Sequence, residues 1–350
     1  PIQGKKLVDY PLQASRLFLE QFKDRGNISV ILGNSKDEVK SYIENSSNYS
    51  GIEFLVQEQQ LGTGDAVKTY ISKSKFINET DYTIVICADT PLITEIELSK
   101  MFKLMDQNNV NAVVASFRTD KPTGYGRIVK SGNEFGLTIV EEKDADLEIK
   151  TIQEVNSGLY IFKTSFLINH IGALNSNNKS NEFYLTDIFS NDHKVMNIHF
   201  SDKDIFLGVN NLEQLEKATK ILRKKKIEML RNNGVRFIDS DSVYIDDSVN
   251  IGAGSTVYPN IVIEGNTSIG ENVIIDTGCV IRNSIINENV SLKSYSHLEN
   301  AIVHENCAVG PFARLRPGSE LNKEVKVGNF VEIKKSTLME GAKISHLSYV

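Results

Sequence analysis

Basic residues are not in excess in this chain: 39 Lys and Arg face 45 Asp and Glu among 350 residues, for a formal net charge of -6. That balance leaves no basic excess to suggest nucleic-acid binding. No apolar run approaches the roughly 20 residues needed to cross a bilayer, and no secretory signal opens the chain. Cysteine is scarce. Cys87, Cys279 and Cys307 lie far apart, fit no metal-ligand spacing and sit among apolar neighbours. Reduced, buried, structural thiols are expected, and a cytoplasmic protein is the simplest reading. What is present, 40% hydrophobic and 24% charged residues, is ordinary for two domains. The opening Pro-Ile-Gln is not how a translated chain begins, and the last residues, Ser345 to Val350, stop inside a repeating pattern. A piece of a longer protein is therefore expected.

Residues 1–210 alternate short β-branched runs with amphipathic stretches. Ile28–Leu32, Ile52–Val56, Thr83–Cys87 and Ala112–Phe117 read as buried strands, and Asp9–Phe22, Ala66–Phe76 and Glu95–Gln107 as helices. The alternation predicts a Rossmann-like α/β domain with a mostly parallel sheet covered on both faces. Ligands in such sheets bind beyond the carboxyl ends of strands. Leu212 to Asn232 then reads as one long helix, with Leu212, Leu215, Ala218, Ile221, Leu222 and Ile227 on one face and a solvated Lys-Arg face opposite. Residues 211–234 are the expected linker.

From there the period is six. Ile245, Ile251, Val257, Ile263, Ile269, Ile275 and Ile281 fall six residues apart; the spacing shortens by one and continues through Ile286, Leu292 and Leu298. It shortens again before Val303, Val309, Leu315, Leu321, Val327 and Ile333, and once more before Leu338, Ile344 and Val350. Neither a helix nor an ordinary sheet sustains this pattern. A triangular solenoid does, with one strand and one corner per step, three steps per coil and about six coils across residues 235–350. The glycines in Ile251-Gly252, Ile269-Gly270, Val309-Gly310 and Val327-Gly328 suit tight corners.

Several segments carry polar groups where chemistry is expected. Gln57-Glu58-Gln59-Gln60-Leu61-Gly62-Thr63-Gly64-Asp65-Ala66 follows a strand and opens a helix, so its glycines allow close backbone approach to a ligand and its amides donate; Gln57 offers a base edge both a donor and an acceptor. A Gly-Thr-Gly alone is more often a plain turn. Cys87-Ala88-Asp89-Thr90-Pro91-Leu92 puts a carboxylate at the end of the most apolar strand. Asp89 there either holds Mg²⁺ or caps a helix beginning near Thr94. Pro122–Arg127, Glu141–Asp144, Glu154–Gly158 and Gly208-Val209-Asn210-Asn211 are, taken singly, turn chemistry. In the solenoid, Gly310–Gly318 and Val327–Lys335 interrupt the small-residue pattern with two cations each, and His346 follows Gly328 by about one coil.

The order and spacing of these segments, the long helix and the hexapeptide solenoid resemble the bifunctional N-acetylglucosamine-1-phosphate uridyltransferase/glucosamine-1-phosphate acetyltransferase family of cell-wall precursor synthesis. The likeness runs over essentially the whole chain. It implies a nucleotidyltransferase domain followed by a left-handed parallel β-helix acetyltransferase domain. It also implies Mg²⁺ as cofactor, UTP and acetyl-coenzyme A as co-substrates, and a homotrimer with no nucleic-acid partner. The family's uracil contact falls on Gln57 and its following Gly-Thr pair on Gly62 and Thr63. Its metal ligands fall on Asp89 and Asn210, and its sugar contacts on Gly126, Glu141 and Asn156. In the solenoid the catalytic base falls on His346, the sugar-phosphate ligands on Arg316 and Lys334, and a further sugar contact on Tyr349. Two departures stand out. Cys87 and Ala88 precede the metal-binding Asp where many relatives have an aromatic residue and Gly, and the family's N-terminal phosphate loop would precede residue 1, so the chain as given is expected to be inactive. The competing readings are another sugar-1-phosphate nucleotidyltransferase with a hexapeptide tail, which would lack the Arg316/Lys334/His346 set, and a non-catalytic trimerising remnant.

Overall fold

The computed structural model describes all residues except 1, 24, 34, 35, 131, 133 and 134. The chain forms two compact units, one of residues Leu7–Asn210 and one of Pro1–Lys6 with Asn211–Val350.

In the first unit the four β-branched runs form strands β1 (Ser29–Leu32), β2 (Glu53–Val56), β3 (Tyr82–Val85) and β4 (Ala112–Arg118). They are followed by β5 (Arg127–Lys130), β6 (Leu137–Val140), β7 (Glu154–Lys163) and β8 (Val195–Phe200). Helices α1 (Asp9–Glu20), α2 (Lys36–Glu44), α3 (Thr63–Lys73), α4 (Glu95–Asn108) and α5 (Thr164–Ile171) lie between them. β1 pairs with β2 in parallel, and β4 with β8 in parallel. The long β7 runs antiparallel between β3 and β4, which therefore share one direction, and β5 and β6 add an antiparallel pair. β4 shows why both faces are covered: Ala112 and Val114 enter one apolar core, while Val113, Ala115 and Phe117 enter the other. β1 and β2 depart from the expected burial, with Leu32 and Leu55 their only buried residues. They form a separate two-stranded sheet among the described residues.

In the second unit, helix α6 covers Leu212–Asn232, with the Asn211 side chain accepting from the Gln214 amide. Ala218, Ile227 and Leu230 are buried, whereas Leu212, in the first turn, is 82% exposed. The basic face is not wholly solvated either: Lys226 is buried, its Nζ donating to the Asp247 carbonyl at 2.6 Å. Burial lowers its pKa, with Asp247 opposing that shift.

The six-residue repeat forms a parallel solenoid of about six turns. Its three faces hold six, six and seven strands: the first face starts at Tyr244–Ile245, the second at Asn250–Ile251 and the third at Arg236–Phe237. Each strand pairs in register with the one a coil later, as in Ile245↔Ile263↔Ile281↔Leu298↔Leu315↔Ile333. Every repeat aliphatic from Ile245 to Ile333 is buried; Leu338 and Ile344 are only partly so, and Val350 is 37% exposed. All three five-residue steps, after Ile281, Leu298 and Ile333, fall at the same corner, between the first and second faces. A second inward position lies two residues before each aliphatic. It takes Val or Ile at some steps, such as Val243, Ile261 and Val273, and small residues such as Ser255, Thr267, Ser284, Ser296 and Ser319 at others, and it is where Cys279 and Cys307 are buried. Burial pushes the Cys279 thiol up to about 11, so it is held as an inert thiol.

Of the glycines after the aliphatics, Gly310 takes the left-handed region as expected, at φ 96°, but the other three act differently. Gly252, Gly270 and Gly328 do not occupy the left-handed region; that conformation falls further on, at residues such as Asn260, Asn272, Asn289 and Asn306. A methyl group on Gly270 would lie 2.7 Å from the Glu288 backbone nitrogen, so glycine is needed there because the next turn passes too close for a side chain.

Candidate active site

At the carboxyl end of β2, Gln57 lines a cavity of ≈520 Å³ together with Gly33, Lys36, Val56 and Gln60. Its Nε2 donates to Asp65 Oδ2 at 2.7 Å and to the Gly62 carbonyl at 3.2 Å. Gly62 stands just before α3 at φ 111°, a conformation that favours glycine. The close approach it permits is to the chain itself: a methyl group there would lie 2.7 Å from the Phe183 carbonyl. Thr63 Oγ1 accepts from the Leu185 amide at 3.4 Å, tying the start of α3 to the short helical turn Leu185–Ile188.

That turn reaches the second group of residues. Buried Thr186 donates to Glu141 Oε1 at 2.9 Å, and a methyl group on Gly126 would lie 3.3 Å from the same oxygen. The Asn156 amide donates to the Gly126 carbonyl at 2.8 Å, and its side chain is bonded to the Tyr160 hydroxyl at 2.7 Å. Gly126, Glu141 and Asn156, distant in sequence, are thus brought together by β5, β6 and β7. Burial raises the Glu141 pKa; the Thr186 bond opposes this, and the charges of Asp187, Asp144 and Glu182 add to it.

Asp89 and Asn210 also meet. The Val209 amide donates to the Asp89 carbonyl at 2.9 Å. A methyl group on Gly208 would lie 3.3 Å from Asp89 Oδ2 and 3.5 Å from Asn210 Nδ2. Asp89 is not the cap of α4: Thr94 holds that place in a reciprocal arrangement with Glu97. One carboxylate and one amide side chain, both able to present oxygen, suit a hard cation that keeps further positions for substrate phosphates. Beside them, Cys87 is half-buried with Sγ 3.8 Å from the Gly158 carbonyl, and Ala88 is exposed. Burial, reinforced by Asp89, pushes the Cys87 thiol up to about 11.

In the solenoid, Arg316 and Lys334 occupy successive turns at the corner between the first and second faces, following Leu315 and Ile333, which are paired in register. Arg316 Nη1 donates to Glu332 Oε1 at 3.0 Å. His346 lies at a different corner, between the third and first faces, one residue before Leu347, whose amide donates to the Asn329 carbonyl. Tyr349 is bridged to Glu332 on the first face, between the two corners. Arg316 and Lys334 are therefore neighbours, while His346 stands one corner away from them. On its corner the rings of Tyr295, Phe312 and Phe330 stack in a column with centroids 5.2 Å apart, all three well exposed.

The description "Nucleotidyl transferase" fits residues 1–222, and "GMPPB C-terminal domain" fits residues 240–328, the solenoid turns before Lys334 and His346. A bifunctional protein GlmU from Clostridioides difficile is 38% identical over 99% of this chain and 73% of that relative. The chain belongs to the bifunctional GlmU family. Proteins of the same name from Thermosipho melanesiensis and Staphylococcus haemolyticus are 39% and 38% identical, with 71% and 75% of their lengths covered. Membership makes this chain a transferase with a nucleotidyltransferase domain.

Sequence reading missed Asp65, Tyr160 and Thr186, the residues that hold Gln57, Asn156 and Glu141 in place. Only Asp65 stands inside the Gln57–Ala66 motif; Tyr160 and Thr186 are recognised by their contacts in the folded chain. Of the other histidines, the His170 and His193 rings bond backbone carbonyls, and His304 bridges Asn287 and Glu320. Among the described residues no group of three or more His, Cys, Asp or Glu side chains is placed to hold a metal, and no helix is long and apolar enough to cross a membrane.

Proposed function

We propose that the protein makes UDP-N-acetylglucosamine, with uridylyl transfer in residues 1–210 and acetyl transfer in the solenoid of residues 235–350, joined by the linker of residues 211–234. The observation that carries this reading is likeness over 99% of the chain to a protein named bifunctional, in a chain that holds both the Asp89/Asn210 pair and the Arg316/Lys334/His346 set.

In uridylyl transfer, a phosphate oxygen of N-acetylglucosamine-1-phosphate attacks the α-phosphorus of UTP. One P–O bond forms, the bond to the β-phosphate bridge breaks and pyrophosphate leaves. Such a reaction needs positioning and charge neutralisation more than covalent catalysis. Asp89 and Asn210 would hold Mg²⁺, which would supply that neutralisation. Gln57 meets the base, Gly62 and Thr63 offer backbone donors, and Cys87 and Ala88 line the approach to the phosphates. Gly126, Glu141 and Asn156 orient the sugar.

In acetyl transfer, Arg316 and Lys334 hold the phosphate of glucosamine-1-phosphate and Tyr349 its sugar. His346 takes a proton from the 2-amine as nitrogen attacks the acetyl-coenzyme A thioester; a C–N bond forms, the C–S bond breaks and coenzyme A leaves as its thiol. The corner that separates His346 from Arg316 and Lys334 favours a closed three-fold assembly in which groups of neighbouring prisms meet at their boundaries. Full-length protein should release pyrophosphate in one assay and free coenzyme A thiol in the other. Failure of either assay in a folded trimer, or a stable monomer by light scattering, would reject the corresponding part.

Glu141 gives a separate check. Its raised pKa means that the folded state disfavours the ionised form, so stability associated with the protonated form is lost as pH rises through the folded value. Glu141→Gln should therefore leave the melting temperature at neutral pH unchanged or higher, while weakening sugar-phosphate binding by about tenfold through a lost charged acceptor. Unchanged binding would remove Glu141 from the sugar site.

A further inference from the structure

We infer that Asp65 sets base specificity by fixing which end of the Gln57 amide is offered to the nucleobase. An amide side chain presents a carbonyl acceptor at one end and an NH₂ donor at the other, and either end can usually face a ligand. Here both neighbours of the inner end are acceptors, the Asp65 carboxylate at 2.7 Å and the Gly62 carbonyl at 3.2 Å. An ionised carboxylate cannot donate, so Nε2 must face inward and the charged bond is the stronger of the two. The outer end is then Oε1, an acceptor, on a residue that lines the ≈520 Å³ cavity. An acceptor matches the N3–H of an imide pyrimidine such as uracil. It opposes the N3 lone pair of cytosine, which would leave two acceptors facing each other without a proton between them. Asp65 is thus a positioning residue. It occupies the first turn of α3, where the helix dipole favours its charge.

The inference rests on the proposed contact between Gln57 and the base, and its test separates the two. Binding of UMP and of CMP to the full-length protein is measured by calorimetry for the native form, Asp65→Asn, Asp65→Ala and Gln57→Ala. Native protein should favour UMP by tenfold or more. In Asp65→Asn the new amide can accept or donate, so Gln57 can turn over; in Asp65→Ala it loses its charged anchor. Both should cut the UMP preference by about tenfold, chiefly through tighter CMP binding, an effect that general loosening of the fold would not produce. If both Asp65 variants keep the native preference while Gln57→Ala loses it, the base contact stands and the role given to Asp65 falls. If Gln57→Ala keeps the native preference, Gln57 does not read the base and both fall.

Discussion

Asp89→Ala in the full-length protein should lower uridylyl transfer by on the order of 10³-fold and leave acetyl transfer unchanged. The size follows from the several kcal/mol of charge stabilisation that a metal contributes at a transferring phosphoryl group, with each 1.36 kcal/mol worth tenfold in rate. The separation follows from the architecture. Asp89 lies in the unit Leu7–Asn210, which has its own two cores, whereas the solenoid buries an independent column of aliphatics. The substitution itself should be tolerated, because the cap of α4 is Thr94 and the backbone bond from the Val209 amide to the Asp89 carbonyl does not need the side chain. Parallel assays of pyrophosphate release and acetylation decide the matter. Equal loss of both activities in a folded protein would mean that Asp89 acts on the whole molecule, and retention of both would remove it from the metal site.

His346→Ala should give the converse. Removal of a general base costs about 10²–10⁴-fold, so acetylation of glucosamine-1-phosphate should fall by that amount while uridylyl transfer persists. His346 is exposed, and Leu347 rather than His346 makes the backbone bond to Asn329. The alanine variant should accordingly keep its fold and its affinity for the sugar phosphate, which Arg316 and Lys334 supply. Added imidazole should recover part of the rate if the lost group is a base. Full acetyl transfer by His346→Ala would place the base elsewhere, and lost sugar-phosphate affinity with intact chemistry would make His346 a binding residue.

The extent of the solenoid was written in the sequence because its rule is local. Each aliphatic repeats every six or five residues and each must point inward, so the pattern can be counted without knowing what it packs against. Four strands and three helices of residues 7–210 were legible for the same reason, to within about two residues at most ends, since β-branched runs and amphipathic periods act through the nearest turns of chain. The family resemblance, too, was carried by short motifs in a set order. Contacts between distant segments decided the rest. That β7 runs antiparallel between β3 and β4 depends on the pairing of residues 36 to 81 positions apart, which no local preference encodes. Gly252, Gly270 and Gly328 are required by the neighbouring turn and not by their own φ angles, so their cause lies about 18 residues away. In the candidate site, sequence marked Gln57, Glu141 and Asn156, but only the folded chain brought Asp65, Thr186 and Tyr160 against them. It also put His346 on another corner from Arg316 and Lys334. A motif shows which chemical groups are available; their orientation and proximity come from packing across the fold.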